Sequence, residues 1–324
     1  MTKYITMAKA VVNDRDKMQV LGNDVKNMVI MIMRILILIG VCYVILLPLI
    51  GMIVNSFSSN ADAYDPMVFV IPKNPTLERY QLVIERMDYF SVMGRNLLYV
   101  AALTVIQLVI SSMVGYGFAR FNFPFKRLLF ACVVIMIIIP AHTIMLPIYL
   151  TFREFDPLGL ISLFTGTPMN LIGSTAPVFI MTMLGCGVRS GLYIYIFCQF
   201  FRGLPKEIEE AAFVDGAGVW YTYFRIMLVN AMPAVVTVTV FSFVWQFNDT
   251  FFGNLFLISD STLISKKIAS LQAMIANADR ILEIPIQELY LNAGIVLVLL
   301  PIIIIYIVLQ KYFIEGVERS GIVG

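Results

Sequence analysis

The chain has 324 residues, of which 60% are hydrophobic and 14% charged, against about 45–50% apolar and about 25% charged in soluble domains. Its 23 basic and 21 acidic residues are too few to coat a soluble fold of this length, which excludes an ordinary cytosolic enzyme and leaves a membrane as the solvent. A net charge of +2 excludes a nucleic-acid partner, because neutralising phosphates needs a concentrated basic face.

In chain order, residues 1–28 form a basic leader, predicted as a cytoplasmic N-terminal segment, and a first span follows at about 29–54. A cleaved signal peptide is the competing reading, with Ala61-Asp62-Ala63 as the processing site. Its apolar region would be about 7–15 residues, and this run is much longer. Next, Asn74-Pro75 predicts a helix start, with Asn74 as cap and Pro75 in the first helical position. Leu77, Tyr80, Val83, Ile84 and Met87 share one face of that helix, which suits the membrane surface or a neighbouring span.

Further spans are predicted at about 96–119, 128–150, 177–201, 227–248 and 290–310, each long enough for about 30 Å of hydrocarbon. Lipid offers no partners to free backbone groups and no alternating strand pattern occurs, so the fold class is all-α: a polytopic membrane protein of six transmembrane helices in a single domain. Pro140 and Pro147 imply a bent third span, with His142 a satisfied core histidine between them. As the sole histidine, it excludes a His-based metal cluster. Cys42, Cys132, Cys186 and Cys198 all fall in spans without Cys-x-x-Cys spacing and are expected as small apolar fillers. The loop from about 250 to 286, with its Ile268–Ala276 segment, suits either an extracellular contact or a cap on the bundle.

With a cytoplasmic N-terminus, fourteen Lys and Arg residues fall inside, eight outside, and Arg189 within the fourth span. The positive-inside bias therefore places both termini, including the tail 311–324, in the cytoplasm. The Arg120–Arg127 turn, with three cations and no anion, is its clearest single support.

The loop 202–225 carries Leu204-Pro-Lys-Glu-Ile-Glu-Glu-Ala-Ala-Phe-Val-Asp-Gly-Ala-Gly218. Pro205 suits a first helical position, and Glu207, Glu209 and Glu210 suit the opening turns, where acidic groups favour the helix dipole. The helix should break at Asp215-Gly216, with Asp215 capping a second helix whose aromatic face is Trp220, Tyr221 and Phe224. Ala211, Ala212, Gly216, Ala217 and Gly218 leave a bare surface that a partner can approach closely. A helix-turn-helix that merely joins two spans would have the same pattern.

Glu210-Ala211-Ala212, then Gly216, then Ile226-x-Leu228 resembles the EAA loop of membrane subunits of binding-protein-dependent ABC importers. Pro75-Thr-Leu-Glu-Arg-Tyr80, Leu146-Pro-Ile-Tyr-Leu150 and the ending Phe313–Gly324 resemble the carbohydrate, maltose-type class, so the similarity covers about residues 29–324. One departure is Val229, where the family usually has Pro; it predicts a less kinked start to the fifth span.

The resemblance implies the type I importer permease fold, in a bacterial cytoplasmic membrane. It implies a non-catalytic subunit paired with a second permease, two cytoplasmic ATP-binding subunits and an extracellular solute-binding protein that delivers a carbohydrate. Glu207, Glu210, Ala211, Ala212, Asp215, Gly216 and Ala217 would dock on the ATPases. No phosphate-cradling Gly-x-x-x-x-Gly-Lys-Ser/Thr motif occurs in the sequence, so ATP and Mg would be bound by those partners and no cofactor by this chain. Importers of a non-carbohydrate solute, ion-coupled carriers and membrane enzymes are the alternatives. A carrier should show intramembrane ionisable pairs, and an enzyme needs a catalytic cluster that the sequence does not assemble.

For the solute pathway, Trp245, Gln246, Asn248 and Asp249 place an aromatic ring and polar groups at the end of the fifth span. Equally, Trp245 suits an interface belt and Asn248-Asp249 a helix end. Arg189 lies in Gly185-Cys-Gly-Val-Arg-Ser-Gly191, a helix-breaking stretch, and either contacts solute or pairs structurally.

Overall fold

The computed structural model describes residues 2–65, 71–257 and 263–321. Among them, extended backbone pairs only in one antiparallel bridge, between Phe155 and Met169, so the all-α class holds. Residues 1–76 and 77–324 form two separately compact units.

In the first unit, helix α1 (Thr2–Phe57) contains an apolar stretch, Lys26–Phe57, long enough to cross a membrane. The side chains of residues 1–25 and 311–324, including most of the charges that orient the termini, lie outside the described residues. Asn74 is not the helix cap the sequence suggests. Its backbone N–H donates to Asp62 Oδ2 at 3.0 Å and its Nδ2 to Asp62 Oδ1 at 3.1 Å. Burial raises the Asp62 carboxyl, but the bonds from Asn74 and Ser59 outweigh it and hold the group below its ordinary value.

The second unit opens with α2 (Glu78–Met87), capped at Leu77 without a side-chain bond. Its predicted face is the packing face: Val83 and Met87 are fully buried, with Tyr80 and Ile84 against the same cluster. Only Leu77 stays exposed. Helix α3 (Tyr89–Arg120) follows, then α4 (Lys126–Ile138) and α5 (Met145–Arg153). The chain bends there by 105°, since Pro140 offers no N–H to continue α4. His142 sits exposed on this bend, edge-on to Phe251 with ring centroids 4.7 Å apart. It is not a core histidine. Among the cysteines, only Cys198 is buried; the other three face outward, because a membrane chain also carries apolar residues on its outer surface.

After the short α6 (Leu160–Thr165) come α7 (Ala176–Met183) and α8 (Ser190–Gly203), two pieces of the predicted fourth span. They are followed by α9 (Lys206–Val214), α10 (Val219–Tyr221), a π-helical turn at Thr222–Met227, α11 (Leu228–Asn230) and α12 (Met232–Phe247). The start of the fifth span is strongly kinked, contrary to the expectation from Val229. α12 leaves the preceding helix at 78°, with Pro233 in its first turn. The proline has moved four residues along and still breaks the helix.

Last come α13 (Phe251–Phe256), α14 (Ile264–Ala278) and α15 (Ile284–Gly321). Among the described residues, three helical stretches are long and apolar enough to span a membrane, and five if each bent pair is one span. The broken α7–α8 pair is not among them. α3 and α8 share the buried Tyr116, Tyr193, Phe197 and Phe201 with α12. Lipid is as apolar as these side chains, so close packing rather than transfer from water holds this contact.

Of the two readings of the 250–286 loop, the cap is the one seen within the unit. α14 buries Ile264, Leu271 and Ile275 against α2 and α15. At its end, Arg86 donates Nη2 to Asp279 Oδ1 at 2.6 Å and Nε to Oδ2 at 3.0 Å. These bonds hold the Asp279 carboxyl below its ordinary value, against the opposing effect of burial. A depressed carboxyl contributes stability above its unfolded value of about 4 and loses it as pH falls through the lower folded value. Asp279→Asn should therefore lower the thermal midpoint at neutral pH, and the difference from the parent should vanish in acid. An equal difference at both pH values would contradict this.

Candidate functional site

The loop after α8 is built locally. Leu204 and Pro205 are extended, with ψ of 140° and 136°. Pro205 is the cap of α9 rather than its first residue, as its extended ψ requires, and the helix begins at Lys206 with Glu207 and Glu209 in its first turn, worth about 0.3–1 kcal/mol each against the dipole. The predicted break is at Gly216, whose φ is +82°. Its N–H bonds to Phe213 O at 3.0 Å, and the Ala217 N–H bonds to Ala212 O at 2.9 Å. That pair of bonds is the left-handed glycine stop. Asp215 belongs to this stop as the C-cap of α9; the following helix is capped at Gly218 with no side-chain bond.

The helix separates its residues into two faces. Glu207, Glu210, Ala211, Val214 and Asp215 are exposed, while Glu209 and Ala212 are buried. A Cβ placed on Gly216 or Gly218 meets nothing within 4 Å. Ala217 is half-buried. Beyond the stop, Trp220, Tyr221 and Phe224 are all exposed, with Trp220 and Phe224 stacked at 6.2 Å.

Two of the pathway candidates come together. Arg189 has φ of +56° at the end of the break between α7 and α8, and its guanidinium lies 4.3 Å from the Trp245 ring centroid. No carboxylate pairs with it among the described residues. Ser190 Oγ, one residue on, exchanges hydrogen bonds with Gln107 at 2.9 and 3.2 Å, which fixes the start of α8 to α3.

The other three candidates point elsewhere. Gln246 is buried, with its Nε2 unpartnered. Asn248 Nδ2 donates to Val244 O at 2.9 Å, as a helix end would. Asp249 accepts the Phe252 N–H at 3.5 Å, at the start of α13.

Residues that the sequence reading missed lie on α3. Tyr116 donates its hydroxyl to Glu209 Oε1. Arg120 Nε lies 3.2 Å from Glu209 Oε2, and Arg120 Nη2 donates to Leu204 O at 2.9 Å. The available signal was the four-residue spacing of Ser112, Tyr116 and Arg120, which aligns three polar groups on one face of α3.

Apolar, repeatedly broken helices, several of them long enough to cross a membrane, define a polytopic membrane protein. The profile of the binding-protein-dependent transport system inner membrane component family matches residues 107–319, and the chain belongs to that family. It is thus a multi-pass component of the cytoplasmic membrane.

Two arabinooligosaccharides transport system permease proteins named AraQ are similar to it. The Halalkalibacterium halodurans protein is 26% identical over 88% of this chain and 93% of its own length. The Bacillus subtilis protein is 30% identical over 73% and 74%. In fold, a solved bacterial ABC transporter chain involved in the import of the acidic polysaccharide alginate matches with a TM-score of 0.71 at 21% identity, over 89% of this chain and 98% of that one.

Proposed function

We propose that this chain is the permease subunit of an ATP-driven importer and forms half of the translocation pathway for a sugar or oligosaccharide. The observation that carries the reading is α9. Glu207, Glu210, Ala211 and Asp215 face outward next to a glycine stop with open space around it, and this stands in a member of the binding-protein-dependent family. An exposed helix face of this kind is surplus to a linker and suits a docking groove. Carbohydrate is the favoured cargo because the AraQ relatives are oligosaccharide permeases.

In this reading the chain is a single transmembrane domain of six spans with both termini cytoplasmic, and it is not itself catalytic. Glu207, Glu210, Ala211, Asp215, Gly216 and Ala217 form the docking surface for one of two ATP-binding subunits, which hold the ATP and Mg, with Ala212 packed on the inner face behind them. A second, different permease chain completes the pathway, and an extracellular binding protein delivers the solute. Closure of the ATPase pair draws the two docking helices together and rocks the spans from inward-open to outward-open. Copurification tests the assembly. A P-loop ATPase and a second permease should be retained through detergent extraction, and an isolated chain that transports alone in liposomes would overturn the reading.

Arg189 and Trp245 are the solute contact proposed for this half of the pathway. A cation at membrane depth costs at least about 2.5–3.5 kcal/mol, and a ring contact offsets about 0.5–2 kcal/mol of that, so the guanidinium retains donors for sugar hydroxyls. Arg189→Gln should lower uptake about tenfold, equivalent to ~1.4 kcal/mol, with assembly intact. Lost assembly would instead assign Arg189 a structural role.

A further inference from the structure

We infer that Glu209 is not an ATPase contact but the anchor that fastens the docking helix to α3, acting as a positioning residue for coupling through Arg120 and Tyr116. This rests on the reading of α9 as the docking helix. It differs from that reading in saying where the movement goes once α9 is pushed.

The geometry separates Glu209 from its neighbours. Glu207 and Glu210 point outward, whereas Glu209 is 7% exposed. Its two carboxylate oxygens are divided between two α3 side chains, one taking the Tyr116 hydroxyl and the other facing Arg120 Nε at 3.2 Å. The side chains of Arg120 and Glu209 are 5% and 10% exposed. A charge pair so deeply buried is costly to separate, because either partner left alone is an uncompensated buried ion.

The same face of α3 holds the rest of the loop. Arg120 also bonds Leu204 O, and Ser112 Oγ lies 2.7 Å from the Tyr223 hydroxyl in the π-helical turn. The Tyr116 ring packs against Phe201 and Tyr223, with centroids 5.4 and 5.2 Å apart. One stripe of α3 therefore clasps the end of α8, the inner face of α9 and the start of the α10–α12 segment. Displacement of α9 is delivered sideways into α3 through a buried ion pair, as well as along the chain into α8 and α12. α3 packs on α7, α8 and α12, including the broken element that carries Arg189.

The test uses the whole transport complex in liposomes and reads solute carried per ATP hydrolysed. Glu209→Gln keeps a hydrogen-bonding oxygen for Tyr116 but loses the ion pair; the ratio should fall at least about fivefold, with copurification of the ATPase unchanged. Reversing the pair with Glu209→Lys and Arg120→Glu should restore most of the ratio, which a general packing defect would not allow. If Glu209→Gln does not assemble, Tyr116→Phe decides, with an expected fall of about twofold.

An unchanged ratio in Glu209→Gln and Tyr116→Phe would overturn the anchor. So would loss of ATPase binding that the reversed pair does not repair, since Glu209 would then be a direct contact. Glu210→Lys on the outer face separates the two readings: if it uncouples while Glu209→Gln does not, docking stands and the anchor fails. If Glu210→Lys has no effect on binding or on the ratio, the docking reading itself fails.

Discussion

Gly216→Trp is expected to reduce solute uptake by more than about tenfold while membrane insertion and subunit levels stay normal and ATP hydrolysis continues. Two separate features of this glycine produce that result. Its φ of +82° costs an L-residue about 1–2 kcal/mol, a local penalty that the rest of a large bundle absorbs. Beyond its chain neighbours, a Cβ there meets nothing within 4 Å, so the new side chain starts into open space rather than into the packed bundle. The indole would extend from the exposed stop at the end of α9, where the docking proposal places the ATPase surface. Gly216→Ala carries the same backbone strain with little bulk and should keep most of the uptake. Equal losses in the two variants would mean that the backbone, not the docking space, is what matters.

Gly115→Ala should be strongly destabilising, and Gly117→Ala, two residues away on the same helix, should not. A Cβ on Gly115 would lie 2.6 Å from Phe197 Cβ, 3.0 Å from Cys198 N and 3.1 Å from Ile194 O. Two of these are backbone atoms and the third is bonded to backbone, so relief requires α3 and α8 to separate. Overpacking of this kind costs about 1–3 kcal/mol, here against the helix pair that carries both the Glu209 anchor and the Arg189 break. At Gly117 there is nothing within 4 Å, and alanine gains about 1 kcal/mol of helix propensity. Thermal unfolding of the purified chain in detergent should show the midpoint falling by about 5 °C or more in the first variant and holding or rising in the second. Equal midpoints would mean that α3 and α8 are not in tight contact.

The elements that the sequence revealed are those set by local chemistry. The glycine stop at Gly216 depends on a few consecutive backbone bonds, and the Arg189 break on glycines at 185, 187 and 191, so both were readable from neighbouring residues. Caps were not. Asn74 suits a helix cap locally, but Asp62, twelve residues back, offers it two bonds, and Asp215 is taken up by the stop before it can serve the next helix.

The kink into α12 does not depend on a proline at position 229. Pro233 performs the same steric role from a position that the family pattern does not specify. Glu209 was hidden for a different reason. The periodicity of α9 fixes which residues share a face, but not which face meets α3, and the partner stripe lies about ninety residues upstream. The contact between Arg189 and Trp245 likewise joins two helices whose relative placement is set by their bends.

The most direct measurement is carbohydrate uptake by proteoliposomes holding this chain, its partner permease and the ATPase subunits, with and without internal ATP and external binding protein. Uptake should require both, and should cease when either is withheld. Accumulation driven by this chain alone, without ATP, would contradict the account.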